Sequence, residues 1–223
     1  YLAEKSSLPV PRVFLSNDDL LIMAYVPAGG SMCQETEIHA ADLVAALHKI
    51  TSDTFGFQCD TVIGGLHQPN PPTESWRNFF RDAQIINMAT QANQAGRLPM
   101  SLRLRLDNLA TRLDNWLDNS SAPALVHGDL WAGNILSANG RVSGFIDPAI
   151  YYGDPEIELA YITLFRTFGS YFFDRYREHR EITPDFFEAR RDLYNLYPLL
   201  VHLRLFGGSY VRDIEQILER FGC

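Results

Sequence analysis

The chain has 223 residues, of which 21% are charged, and a formal net charge of −8. That length buries a sizeable core, as one domain or as a domain plus a fragment, and the acidic balance argues against nucleic acid as a general partner, because counterion release needs a basic surface. Three widely spaced cysteines, Cys33, Cys59 and Cys223, suit neither a disulfide framework nor a zinc site. No apolar run approaches the roughly 18 residues of a membrane span and no signal peptide opens the chain, so a cytoplasmic protein with no membrane partner is expected.

In chain order, residues 1–7 read as the tail of a helix, stopped by Leu8-Pro9-Val10-Pro11. Residues 12–15 and 20–25 are strand-like runs on either side of Ser16-Asn17-Asp18-Asp19, which predicts a hairpin. Pro27-Ala28-Gly29-Gly30 breaks the chain and reads as a hinge. Helical spacing follows over 38–50, with Leu43, Val44, Leu47 and Ile50 on one face. Residues 52–73 read as a long irregular connection of the kind that forms a lid or a packed surface segment. Trp76, Phe79, Phe80, Ala83 and Ile86 mark a helix that Gly96 ends, and Ser101 is a candidate cap for another helix, with Leu102, Leu106, Leu109, Leu113, Trp116 and Leu117 on its buried face. Beyond Asp147, helices are expected within 156–167, 171–179, 185–206 and 210–221. No internal repeat or low-complexity segment is present.

The stretch 124–147 organises the rest. Two short strand-like runs, 124–126 and 142–146, each deliver an aspartate: Asp129 just past the first and Asp147 at the end of the second. Asn134 follows Asp129 by five residues. Phosphoryl transfer from a magnesium-bound nucleotide calls for this pattern. One carboxylate takes the proton of the attacking hydroxyl, while an amide oxygen and a second carboxylate hold the metal against the phosphates. Magnesium takes oxygen ligands alongside phosphate oxygens and waters, which points to Asn134 and Asp147 as its holders and to Asp129 as the base. Trp131, next to the base, is either core or a flat face for a sugar ring, with a cation–π surface for an amine. No G-x-S-x-G elbow, H-E-x-x-H pair or G-x-x-x-x-G-K loop occurs.

His127-Gly128-Asp129-Leu130-Trp131-Ala132-Gly133-Asn134 resembles the catalytic loop of aminoglycoside phosphotransferase-like kinases and, more narrowly, of the fructosamine (ketosamine) kinases. Residues 145–156, F-I-D-P-A-I-Y-Y-G-D-P-E, are similar to the block that follows it in that family. Leu47-His48 with Phe55-Gly56-Phe57, Trp76 with Phe79-Phe80, and the run 193–197 with His202 and Phe206-Gly207 extend the resemblance over nearly the whole chain. It implies an α+β, protein kinase-like fold: residues 1–27 as a remnant of a β-rich N-terminal lobe with its hinge, and 28–223 as the helical C-terminal lobe. It also implies an ATP- and Mg²⁺-dependent phosphotransferase acting on the 3-hydroxyl of a small or protein-bound ketosamine, in deglycation or repair. Trp131 would then line the substrate pocket, and the backbone of Ala24, Tyr25 and Val26 would bond the adenine. Glu158 would brace the catalytic loop from the following helix, and His127 would brace it from within. Tyr197 and His202 either face the substrate or, as polar residues on a packed helix more often are, are satisfied core groups.

The front of the chain departs from the pattern. A kinase of this type uses a Gly-rich loop over the phosphates and a strand lysine. Here the only lysines are Lys5, before the first strand, and Lys49, in a helix beyond the hinge. The sequence therefore reads either as a fragment of a longer protein or as a degenerate kinase, and the intact trio Asp129, Asn134 and Asp147 favours the fragment. The alternatives are a small-molecule kinase of the aminoglycoside or choline type, and a pseudokinase binding module.

Overall fold

Helical runs of apolar residues make up most of the structure, and short antiparallel strand pairs set the catalytic segment among them. The computed structural model describes residues 1–17, 19–118 and 120–223. One turn of helix, α1 (Leu2–Lys5), leads to the hairpin β1 (Val13–Ser16) and β2 (Leu21–Met23), in the expected place. Asn17 Oδ1 accepts from the N–H groups of Asp19 and Leu20 in its turn; Asp18 lies outside the described residues. Both faces of this hairpin are exposed. The Pro27–Gly30 segment is stitched to later strands: Ser143 Oγ donates to the Pro27 carbonyl (2.6 Å), and Gly30 and Ser137 exchange bonds of 2.8 and 2.7 Å.

The helix expected from 38 begins earlier, as α2 (Gln34–Leu47), with Cys33 in extended conformation at its N-cap. The connection predicted as irregular contains a second hairpin, β3 (Thr61–Ile63) and β4 (Leu66–Gln68), turning on Gly64 and Gly65, both at positive φ. Period-two alternation is too short there to register as strand. The next helix runs further than its apolar markers, as α3 (Trp76–Phe79), a π-helical segment (Phe80–Ile86) and α4 (Asn87–Gln94), with Gly96 at φ +69° ending it. Helix α5 (Met100–Ala110) is preceded by Pro99, so Ser101 lies inside the first turn and is not the cap. Leu113, Trp116 and Leu117 fall in a 3₁₀ turn (Leu113–Asn115) and the chain after it.

Strand β5 (Ala124–Val126) pairs antiparallel with β8 (Tyr151–Gly153), a strand the sequence reading did not assign. Between them, β6 (Ile135–Ala138) and β7 (Arg141–Phe145) form a hairpin closed by Asn139 and Gly140 at φ +53° and +73°, the Asn-Gly pairing that a two-residue turn favours. Then come α6 (Pro155–Leu164), α7 (Ser170–His179), a π-helical segment (Phe186–Arg190) running into α8 (Arg191–Phe206), and α9 (Tyr210–Arg220). Helix α2 packs on α7, and α8 receives α6, α4 and α9. An aromatic nucleus holds this body to the strands. Trp76 is buried against Phe79, Phe80, Phe55 and Tyr194, and its indole N–H donates to the Tyr194 hydroxyl at 3.0 Å. No helix among the described residues is long and apolar enough to cross a membrane.

Asp154 starts α6. Its carboxylate accepts from the Glu156 N–H (2.8 Å) as the N-cap, followed by Pro155 at the first helical position, and also from the Tyr194 hydroxyl (3.2 Å). Burial, with the neighbouring Glu156 charge, raises its pKa to about 6. An acid raised in the folded state binds its proton more tightly there than in the unfolded chain. Its favourable contribution is thus complete below pH ~4 and is lost as the pH rises through about 6. Asp154→Asn keeps a capping oxygen and has no proton to lose. Its melting temperature relative to the parent is expected to rise between pH 4.5 and pH 7.5, as measured by thermal denaturation.

Candidate active site

The segment leaving β5 is locked from below by α6. Glu158 Oε1 accepts from the Gly128 N–H at 2.8 Å, and Oε2 accepts from the His127 N–H at 3.2 Å. Oε2 also meets His48 Nε2 at 3.0 Å, and the other nitrogen of His48 meets the Tyr176 hydroxyl at 2.7 Å. Burial pushes the Glu158 carboxyl up, but the hydrogen bond and charge of His48, the neighbouring His127 and the Gly128 N–H outweigh it, so the group sits below the ordinary glutamate value. Gly128 has φ +82°, and a Cβ there would lie 2.1 Å from the Ala149 carbonyl oxygen, so only glycine fits. His127 is fully buried, which lowers its pKa, and its Nδ1 accepts from the Asp129 N–H at 3.4 Å. The bracing roles of Glu158 and His127 are thus visible in the geometry.

Asn134 lies at the end of a 3₁₀ turn (Ala132–Asn134) and folds back on Asp129. Its Nδ2 donates to Asp129 Oδ2 and to the Asp129 carbonyl, both at 2.9 Å. That leaves the amide oxygen for another partner. The Ile146 N–H donates to the Asn134 carbonyl at 3.0 Å, and the Ala149 N–H donates to the His127 carbonyl at 2.9 Å. These two bonds flank Asp147 and hold it at φ +50°, a backbone conformation that Asp tolerates better than most residues.

Asp129, Asn134, Asp147 and Trp131 line one cavity of about 560 Å³, within the range of small-molecule sites. Trp131 is 43% exposed, so its indole is not core. The ring lies across Gly133, where a Cβ would come within 2.4 Å of it. The sequence reading missed the remaining walls. The β3–β4 turn at Gly64 and Gly65 forms one, α8 supplies His202, Leu205 and Phe206, and α6 supplies Tyr161. Tyr197 is a satisfied core group, its hydroxyl donating to Gln68 Oε1 at 2.7 Å. A larger hollow, about 690 Å³, surrounds Asp154, Arg180 and Arg190, where Arg190 is already paired with Glu156.

Ala24, Tyr25 and Val26 do not line the cavity. The Ala24 N–H is committed to the Arg12 carbonyl (2.8 Å), Tyr25 is 86% exposed, and the Val26 side chain packs over Gly144, three residues before Asp147. Among the described residues, no three His, Cys, Asp or Glu side chains gather as a metal cage. The amide oxygen of Asn134 and the carboxylate of Asp147 both border the cavity and could instead hold a cation there. That suits magnesium, which takes one or two side chains and completes its shell with phosphates and water.

A family model described as fructosamine kinase matches residues 1–221. The chain belongs to the fructosamine kinase family. A probable ketoamine kinase of Synechocystis is 39% identical to it over 181 residues, 79% of this chain and 59% of that protein. A probable ketoamine kinase of Vibrio cholerae is 35% identical over 225 residues, 98% of this chain and 76% of the relative. The chain thus spans part of the length of each. The crystal structure of a candidate fructosamine-3-kinase from Thermobifida fusca superposes with a TM-score of 0.86 at 30% identity, covering 98% of this chain and 76% of that one. An aminoglycoside phosphotransferase crystallised with ADP and hygromycin B superposes at 0.68 and 18% identity, covering 98% and 80%. The α+β, protein kinase-like fold expected from the sequence is therefore the observed one.

In this fructosamine kinase family member, Glu158→Leu leaves His48 and two loop N–H groups buried without their acceptor. Its cost is expected at about 3 kcal/mol or more of unfolding free energy, measured as a fall in the urea midpoint at unchanged slope.

Proposed function

We propose that this chain carries the catalytic residues of an ATP- and Mg²⁺-dependent kinase that phosphorylates the 3-hydroxyl of ketosamines, fructosamines or ribulosamines formed on a lysine or a free amine. The reading assigns it to protein deglycation and repair. The observation that supports it most directly is the shared cavity, which puts a clamped carboxylate, an amide oxygen, a second carboxylate and an exposed indole around one space. The ketoamine kinase names carried by the relatives point the same way.

In this reading Asp129 is the base. It takes the proton from the sugar hydroxyl as that oxygen bonds to the γ-phosphorus and the bond from phosphorus to the bridging oxygen of the departing ADP breaks. Asn134, through its free amide oxygen, and Asp147 would hold magnesium, which when bound supplies charge neutralisation on the phosphates. Trp131 supplies a flat apolar face to the sugar ring and a cation–π surface to the protonated amine. The two carboxylates in the cavity favour that same ammonium group. Adenine would be read by the backbone leaving β2. With the Ala24 N–H engaged by Arg12, donation to the base falls to Tyr25 and Val26.

Full-length protein given ATP, Mg²⁺ and a fructosamine is expected to release ADP in proportion to sugar phosphorylated. Asp129→Asn should lose at least about 10²-fold in kcat while its circular dichroism stays that of the parent. Trp131→Ala should raise KM for the ketosamine while leaving KM for ATP within about twofold. Turnover by Asp129→Asn equal to the parent would reject the assigned base.

A further inference from the structure

We propose that Tyr161 is a positioning residue for Asp129, holding the carboxylate in the orientation from which it accepts the substrate proton; this rests on the kinase reading above. Tyr161 sits on α6 three residues beyond Glu158, so the same helix supplies the acceptor under the loop backbone and a donor to the loop's aspartate. The Tyr161 hydroxyl donates to Asp129 Oδ1, while Asn134 Nδ2 donates to Oδ2 at 2.9 Å. One donor comes from a rigid helix and the other from the 3₁₀ turn, and between them each carboxylate oxygen has one partner.

Two features of Tyr161 make it a dependable donor. Burial, reinforced by the Asp129 charge, pushes its phenol far above the ordinary tyrosine value, so the proton stays on the hydroxyl. The ring is buried and packs beside Phe165, with centroids 5.1 Å apart, yet the residue still borders the cavity. An aspartate's terminal torsion is broad and soft. With the phenol in place the carboxylate plane is fixed at both oxygens, and the lone pairs left over are those available to an incoming hydroxyl. Without it, Oδ1 is free to swing, and the fraction of complexes in attacking geometry falls.

Tyr161→Phe removes one oxygen and keeps the ring. It is expected to lower kcat between about tenfold and a hundredfold, the worth of a hydrogen bond to a charged group, with KM for ATP within about twofold of the parent as evidence that the site is folded. Introduced into Asp129→Asn, the same change should cost less than about twofold more, because the phenol acts through that carboxylate. An unchanged kcat in Tyr161→Phe beside a disabled Asp129→Asn overturns this inference alone. So does a full, multiplying loss in the double variant, which is what a merely structural role produces. A parent enzyme that releases no ADP with ketosamines, or an Asp129→Asn variant as active as the parent, overturns the kinase reading and this inference together.

Discussion

Everything at the candidate site hangs from one buried hydrogen bond, between Glu158 and His48, and from the two backbone N–H groups the same carboxylate receives. Side chains of both residues are about 1% exposed. A carboxylate placed that deep is unfavourable unless it is well hydrogen-bonded. Here it has three partners: His48, the C-cap of α2, and the His127 and Gly128 N–H groups of the loop that carries Asp129. The contact therefore ties α2 and α6 to the segment leaving β5 and makes the loop's shape a property of the helical body. Gly128 completes the constraint, because the loop passes so close to Ala149 that no side chain fits.

From that anchor the site is assembled by backbone bonds. Asn134 is tied to Asp129 through its side chain, and its carbonyl receives the Ile146 N–H, so the position of Asp147 is set by the β6–β7 hairpin. The Asn139-Gly140 turn fixes the register of that hairpin, and a slip of one residue would turn Asp147 away. Sequence-distant groups thus meet through strand register, and long side chains do not have to span the gaps. This arrangement suits chemistry that depends on placing a hydroxyl, a base and a phosphorus in line.

The sequence was most readable where local chemistry and global fold agree. Asp129, Asn134, Asp147 and Trp131 were singled out from a stretch whose spacing encodes a turn, a hairpin and a strand end, and the structure brings all four to one cavity. The helices with clear apolar faces were placed to within a few residues, except that α5 ends at Ala110, short of the Leu113–Leu117 face assigned to it. The hairpin at 61–68 was hidden because its strands are three residues each, with a tight glycine turn between them. Strand β8 was hidden because Tyr151, Tyr152 and Gly153 are all buried, leaving no alternation to read. The cap of α5 was misplaced because Ser101 has the right chemistry, yet Pro99 already commits the preceding backbone. Tyr161 was not considered as a site residue, and His202 was weighed against a satisfied core role and passed over, for a different reason: a polar group on an apolar helix shows its role only once its neighbour across the fold is known. The segment 24–26 lies beside β7 and outside the cavity, and no periodicity carries that information.

The β1–β2 hairpin leads to a property of the chain in bulk. Val13, Phe14, Leu15, Leu21, Ile22 and Met23 are all exposed, on a two-stranded ribbon that pairs with no further strand among the described residues. An exposed edge of this kind is a template for further strands, and apolar sides favour the addition. In bulk solution this ribbon is therefore the part of the described chain most disposed to strand addition, and it lies apart from the residues that line the cavity.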